Sequence, residues 1–324
     1  MGELGSRAAG LYVVLLVMGA GWGLSVPLSK IAVSTGHQPF GLIFWQLAIV
    51  VVLLGGLTLM RGRRLKLGRQ YWRLYIMVAL CGAVLPDIFF YLSAARLPGG
   101  VLALVMACVP MFSLPIALLL GNERFAWRRL FGLCLGLSGI AVLVLPESSL
   151  PDRGMAGFLL IALLAPILYA TEGNLVARWG TQGLDPFQVI VSASLFGMIA
   201  IAPVAVLSGQ WINPLAAFGV AELALLASAV IHGLVYACYV WMVGRAGSVF
   251  TAQSSYLVTG FGVVWSMILL RESYSGYVWA ALCVMLLGVF LVQPRAVRRA
   301  RAVLATSLPL GMGETEPKTG NRPL

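Results

Sequence analysis

From residue 9 to residue 292 the chain repeats one pattern: about twenty apolar residues, a short interruption of Gly, Pro or clustered charge, then another apolar stretch. One such stretch could be a buried helix of a soluble core. A long succession of them needs a solvent that is itself apolar. A bilayer core about 30 Å thick is crossed by roughly 20 apolar residues in a helix. Ten stretches can be marked: Ala9–Val33, Pro39–Met60, Leu74–Ala95, Gly99–Leu120, Trp127–Leu145, Met155–Ala177, Phe187–Leu207, Val220–Val243, Ser248–Leu270 and Tyr274–Val292. They are apolar on every side, whereas barrel strands are shorter and alternate polar with apolar residues. With 60% hydrophobic and only 10% charged residues among 324, too few polar groups exist to cover a soluble surface. The expected fold class is an all-α integral membrane protein of ten transmembrane helices.

The formal net charge of +11 orients these spans. If the N-terminus is placed inside, 18 of the 22 Lys and Arg residues fall on the inner side, chiefly in Arg61–Arg73, Arg124–Arg129 and the stretch after Pro294. Lys and Arg accumulate on the cytoplasmic side, so both termini are expected there. The outer loops hold Arg96, Arg153 and Arg271, and Lys30 lies near the outer end of the first helix, where it can snorkel. The basic charge is therefore a topology signal that also meets anionic membrane lipid. No basic domain interleaved with aromatic residues points to nucleic acid. The five cysteines fall within spans at no metal-ligand spacing and read as small core residues. No cofactor or metal is expected.

Laid over itself, the sequence repeats. At an offset of 147, Gly36-His-Gln-Pro39-Phe40 falls on Gly183-Leu-Asp-Pro186-Phe187. At an offset of 149, Arg96 meets Arg245, Phe112 meets Phe261, Glu123 meets Glu272 and Gly139 meets Gly288. The expected organisation is a first five-helix repeat (1–146), an external connection (147–154), a second five-helix repeat (155–293) and a disordered cytoplasmic tail (294–324). Five helices is an odd number, so the second repeat re-enters from the opposite side. Inverted repeats are common in secondary transporters, which bind substrate near the midplane between them. A passive channel could share the architecture.

The segment Tyr91-Leu-Ser-Ala-Ala-Arg96-Leu-Pro-Gly-Gly, with Val109-Pro110-Met-Phe112 and Leu120-Gly-Asn-Glu123-Arg-Phe, resembles the EamA-type transporters of the drug/metabolite transporter superfamily. Trp22-Gly23 and Pro39 also fit. The resemblance covers about residues 9–293, although Asn122 interrupts the usual Gly-Glu and Gln46 stands where many members carry arginine. It implies ten helices in two repeats, a bacterial inner-membrane location and transport of small metabolites, amino acids or toxic compounds, more often outward.

Ionisable groups deep in a span cost about 2.5–3.5 kcal/mol at a helix centre and therefore face a bundle interior or a wet cavity. Asp87, Glu172 and His232 are the three that stand out. Aromatic residues lie at helical spacing from each: Tyr91 follows Asp87, Tyr169 precedes Glu172, and Tyr236 follows His232. The repeat adds Trp22 and Ser25 as counterparts of Tyr169 and Glu172, and makes Tyr236 the counterpart of Asp87. The expected substrate site is therefore Trp22, Ser25, Asp87, Tyr91, Tyr169, Glu172, His232 and Tyr236. Asp87 and Glu172 are its candidates for coupling to a proton. Pro27, Pro86, Pro110, Pro115 and Pro166 are expected to interrupt their helices. No zinc-hydrolase, nucleophile-elbow or phosphate-loop motif is present, so an enzyme is the weaker alternative. The favoured reading is a secondary transporter of a small organic metabolite working by alternating access.

Overall fold

The computed structural model describes residues 2–122, 125–144, 154–213, 218–246 and 254–292. The tail 294–324, most of the connection 147–154, Glu123 and Gln253 lie outside the described residues. Among the described residues there are helices and turns but no strands. The helices are α1 (Gly2–Ser34), α2 (Pro39–Met60), α3 (Trp72–Ala79), a π-helical turn (Leu80–Val84), α4 (Leu85–Ala94), α5 (Gly99–Met106), α6 (Val109–Leu119) and α7 (Trp127–Val144). After the connection come α8 (Met155–Ala162), α9 (Leu164–Trp179), α10 (Pro186–Leu207), α11 (Val220–Ala246), α12 (Ser254–Leu270) and α13 (Gly276–Val292).

Among the described residues, seven helical rods are long and apolar enough to cross a membrane. The α3–π–α4, α5–α6 and α8–α9 segments each form one of these rods, while α12 and α13 are apolar but shorter. Large apolar side chains cover the outside: Met60, Leu119 and Leu207 are each 87% exposed. In water such a surface would aggregate; against lipid tails it costs little.

Proline position explains where the rods are interrupted. Pro has no N–H to donate to the preceding turn and its ring crowds the carbonyl there. The π-helical turn immediately precedes Pro86, the turn at Ala107–Cys108 precedes Pro110, and the turn at Leu163 precedes Pro166. Pro27 and Pro115 differ from expectation, since α1 and α6 run through them without a break. In α1 the Ser25 hydroxyl donates to the Trp22 carbonyl (2.7 Å), one residue before the Gly23 carbonyl that Pro27 leaves without its helical donor.

The duplicated Pro-Phe landmarks open α2 and α10. Asp185 and Gln188 form a reciprocal capping box at the start of α10, with Asp185 accepting from Phe187 N (2.9 Å) and Gln188 Oε1 accepting from Asp185 N (3.0 Å). The start of α2 has no such cap, and Phe40 N donates to Gln210 Oε1 (3.0 Å) in the loop beyond α10.

Helix contacts follow small residues. α1 packs against α11 and α12, and Gly23 meets the backbone at Phe261–Gly262. α7 packs along α13, where a Cβ added at Gly288 would come within 2.5 Å of the Gly136 backbone. Gly19 and Gly23, and Gly132 and Gly136, at small-xxx-small spacing in the sequence, thus serve contacts inside the chain. α9 packs against α4 and α6, while α2 packs against α10. Lys30 does more than snorkel: its ammonium donates to the Ala94 (3.0 Å) and Leu97 (2.5 Å) carbonyls at the end of α4.

Candidate substrate cavity

A cavity of about 320 Å³ opens where α1, α2, α4, α5, α6, α9, α11 and α12 approach one another. Its polar centre is Asp87, placed on the first turn of α4 by the π-helical turn and Pro86, and only 7% exposed. Two donors hold its carboxylate. Gln46 Nε2, from α2, donates to Oδ2 (2.9 Å), and the Tyr169 hydroxyl, from α9, donates to Oδ1 (3.0 Å). The Tyr91 hydroxyl in turn donates to Gln46 Oε1 (2.7 Å), which fixes the amide so that its nitrogen faces Asp87. Each carboxylate oxygen keeps a lone pair for another donor. Among the described residues, no lysine or arginine lines this cavity.

The remaining walls are aromatic, aliphatic and hydroxylic. Trp22 lies 6.1 Å from His232 and 5.6 Å from Tyr239, centroid to centroid. Trp22 Nε1 is buried and has no hydrogen-bond partner among the described residues. Ser29 and Ser228 share a hydrogen bond (3.2 Å) between α1 and α11, and Phe90, Met106, Val109 and Val258 supply apolar surface.

Six of the eight expected residues line this cavity: Trp22, Ser25, Asp87, Tyr91, Tyr169 and His232. Glu172 and Tyr236 do not. Glu172 lies across the π-helical turn, with its Cγ 3.1 Å from the position a Gly82 Cβ would take. No hydrogen bond to its carboxylate is found among the described residues. Tyr236 stacks on Tyr239 (6.2 Å) and packs with Leu54, Phe187 and Val191. Sequence reasoning had passed over Gln46, Ser29 and Ser228 as site residues. Gln46 carried a usable signal, being the one amide within the apolar helix Pro39–Met60. His37, in the connection between α1 and α2, and Glu222, in the first turn of α11, form a 2.6 Å contact with each other, away from the cavity.

Residues 10–145 and 156–293 each match the EamA-like transporter family. The chain belongs to that family. This EamA-type protein is thus an integral membrane protein of the drug/metabolite transporter superfamily, built from two EamA repeats. It is 25% identical over 290 residues to a probable terminal-alkyne amino-acid exporter of Streptantibioticus cattleyicolor, covering 86% of this chain and 92% of that protein. It is 23% identical to the uncharacterized transporter YvbV of Bacillus subtilis, covering 92% and 95%. Similarity to the protein PecM of Dickeya dadantii (29% identity) spans only about half of each chain, 50% and 53% respectively. A crystallographically solved protein has the same fold at a TM-score of 0.61 and 17% identity, covering 90% of this chain and 99% of that one.

Proposed function

We propose that the protein is a secondary transporter, not an enzyme, that exports an amino acid or related amphipathic amine by alternating access, with Asp87 receiving the amine. The observation that carries this reading is a nearly buried carboxylate with, among the described residues, no lysine or arginine opposite it in an aromatic-walled cavity. Such a group is satisfied by a bound cation or by a proton. The exporter named for the Streptantibioticus relative handles an amino acid with an apolar end. Trp22, Phe90, Met106 and Val258 offer suitable surface for that end.

In this reading the chain crosses the bilayer ten times, in repeats 1–146 and 155–293, with both termini cytoplasmic and the tail 294–324 disordered. The exchange of helix partners supports an inverted relation between the repeats. α1, the leading helix of one, packs against α11 and α12, and α9, from the leading rod of the other, packs against α4 and α6. Asp87 belongs to the first repeat and Tyr169 to the second, so rocking one repeat against the other would make or break their hydrogen bond. Amine and proton compete for the same carboxylate, which couples outward substrate movement to inward proton movement. Ser25, Tyr91 and His232 complete the cavity wall, and Glu172 with Tyr236 stands as a second station beside it.

The test is flux of an amino-acid panel in proteoliposomes, with and without a pH gradient. Saturable, gradient-accelerated flux with counterflow is expected. Non-saturable flux without counterflow would make the protein a channel, and chemical alteration of the substrate would make it an enzyme.

A further inference from the structure

A second, larger cleft lies away from Asp87, at the ends of α1, α2, α10 and α11 that carry Val14, Arg61, Phe187 and Trp241. It measures about 580 Å³ and is open on one side. Its walls are apolar, formed by Val14, Leu57, Phe187, Ala237, Cys238 and Trp241, and among the described residues the charged residue lining it is Arg61. The neighbouring surface is the kind that meets lipid tails: Val13 is 61% exposed, Val17 59% and Met60 87%.

Arg61 caps the end of α2, and its guanidinium sits 4.7 Å over the Phe187 ring. Stacking on a ring orients the planar fork but leaves its N–H donors and its charge available. Among the described residues no carboxylate forms an ion pair with Arg61. Arg63, Arg64 and Lys66 follow on the same loop but do not line the cleft, so Arg61 is its basic contact among the described residues. Trp241 flanks it, a residue type that settles at the headgroup level of a bilayer.

An apolar trough opening toward lipid, with an oriented and unpaired arginine at its mouth, matches one chemistry. We propose that the cleft binds a single anionic phospholipid, with its phosphate on Arg61 and one acyl chain lying along Leu57, Val14 and Ala237. A free phosphate would use the arginine and leave the apolar trough uncovered. A second copy of the chain would cover the trough and would have to place an acid against Arg61. The lipid satisfies both features at once, and basic pockets between membrane helices are known to hold such headgroups. This site goes beyond the transport reading and does not depend on it.

Native mass spectrometry of the full chain released from detergent, with phosphatidylglycerol, phosphatidylcholine or inorganic phosphate added, tests the proposal. One retained phosphatidylglycerol is expected, with an occupancy at least fivefold above that of phosphatidylcholine, and no adduct with phosphate. Arg61→Gln should remove that preference, while Arg63→Gln, on the same loop but outside the cleft, should keep it. Cys238→Trp, which fills the trough from an exposed position, should lower retention of phosphatidylglycerol to the phosphatidylcholine level. Equal retention of the two lipids, phosphate binding on its own, an Arg61→Gln variant that behaves as wild type, or a dimer displaced by lipid would each overturn it.

Discussion

Asp87 and Glu172 are both carboxylates within apolar rods, yet their surroundings are opposite. Asp87 is held by Gln46 and Tyr169 and faces a cavity. Glu172 rests against the π-helical turn at Gly82, with no donor bonded to it among the described residues. The difference teaches that a charge in a membrane helix is not by itself a site. What distinguishes Asp87 is the second layer around it: a tyrosine that orients an amide, an amide that orients the acid, and a tyrosine from the other repeat. Such a layer fixes the carboxylate in one geometry.

Replacing the two acids breaks or sharpens the contrast most strongly. Asp87→Asn removes the charge proposed to receive the amine, an interaction of about 1.5–3 kcal/mol. Substrate counterflow should therefore fall by roughly ten- to a hundredfold in proteoliposomes. Tyr169→Phe deletes one hydrogen bond from a neutral donor to that charge, at the low end of the range for charged groups, about 1.5 kcal/mol. It should slow exchange by roughly two- to tenfold while leaving thermal unfolding of the solubilised protein nearly unchanged. Gln46→Leu should resemble it in exchange rate, because both remove one donor from Asp87. Glu172→Gln should change counterflow least, by less than about twofold, since neutralising a group without bonded donors costs few interactions. If Glu172→Gln abolished pH-gradient-driven uptake while sparing counterflow, the proton role would pass from Asp87 to Glu172.

Much of this was legible in the sequence for physical reasons. Helices in lipid must satisfy their own backbone, so uninterrupted apolar length locates them with little help from tertiary context. The rods from Pro39–Met60 and Val220 onward begin where the apolar pattern places them. Asp87 stood out because a carboxylate between Pro86 and two aromatic residues has no membrane-facing explanation. Gln46 was harder to see, since an amide is tolerated in many positions and its partners lie 41 and 45 residues away. The Ser29–Ser228 bond, across 199 residues, was equally hidden. Repeat symmetry paired Glu172 with Ser25, but α9 follows a turn at Leu163 that α1 lacks. Equivalent sequence positions therefore stand at different places relative to the cavity.

The central claim is that Asp87 holds the substrate amine in the cavity between the repeats. Counterflow of labelled amino acids into substrate-loaded proteoliposomes, comparing wild type with Asp87→Asn, tests it most directly. Saturable counterflow in the wild type, reduced at least tenfold by Asp87→Asn, is the expected result. Counterflow of unchanged rate and unchanged pH dependence in Asp87→Asn would contradict it.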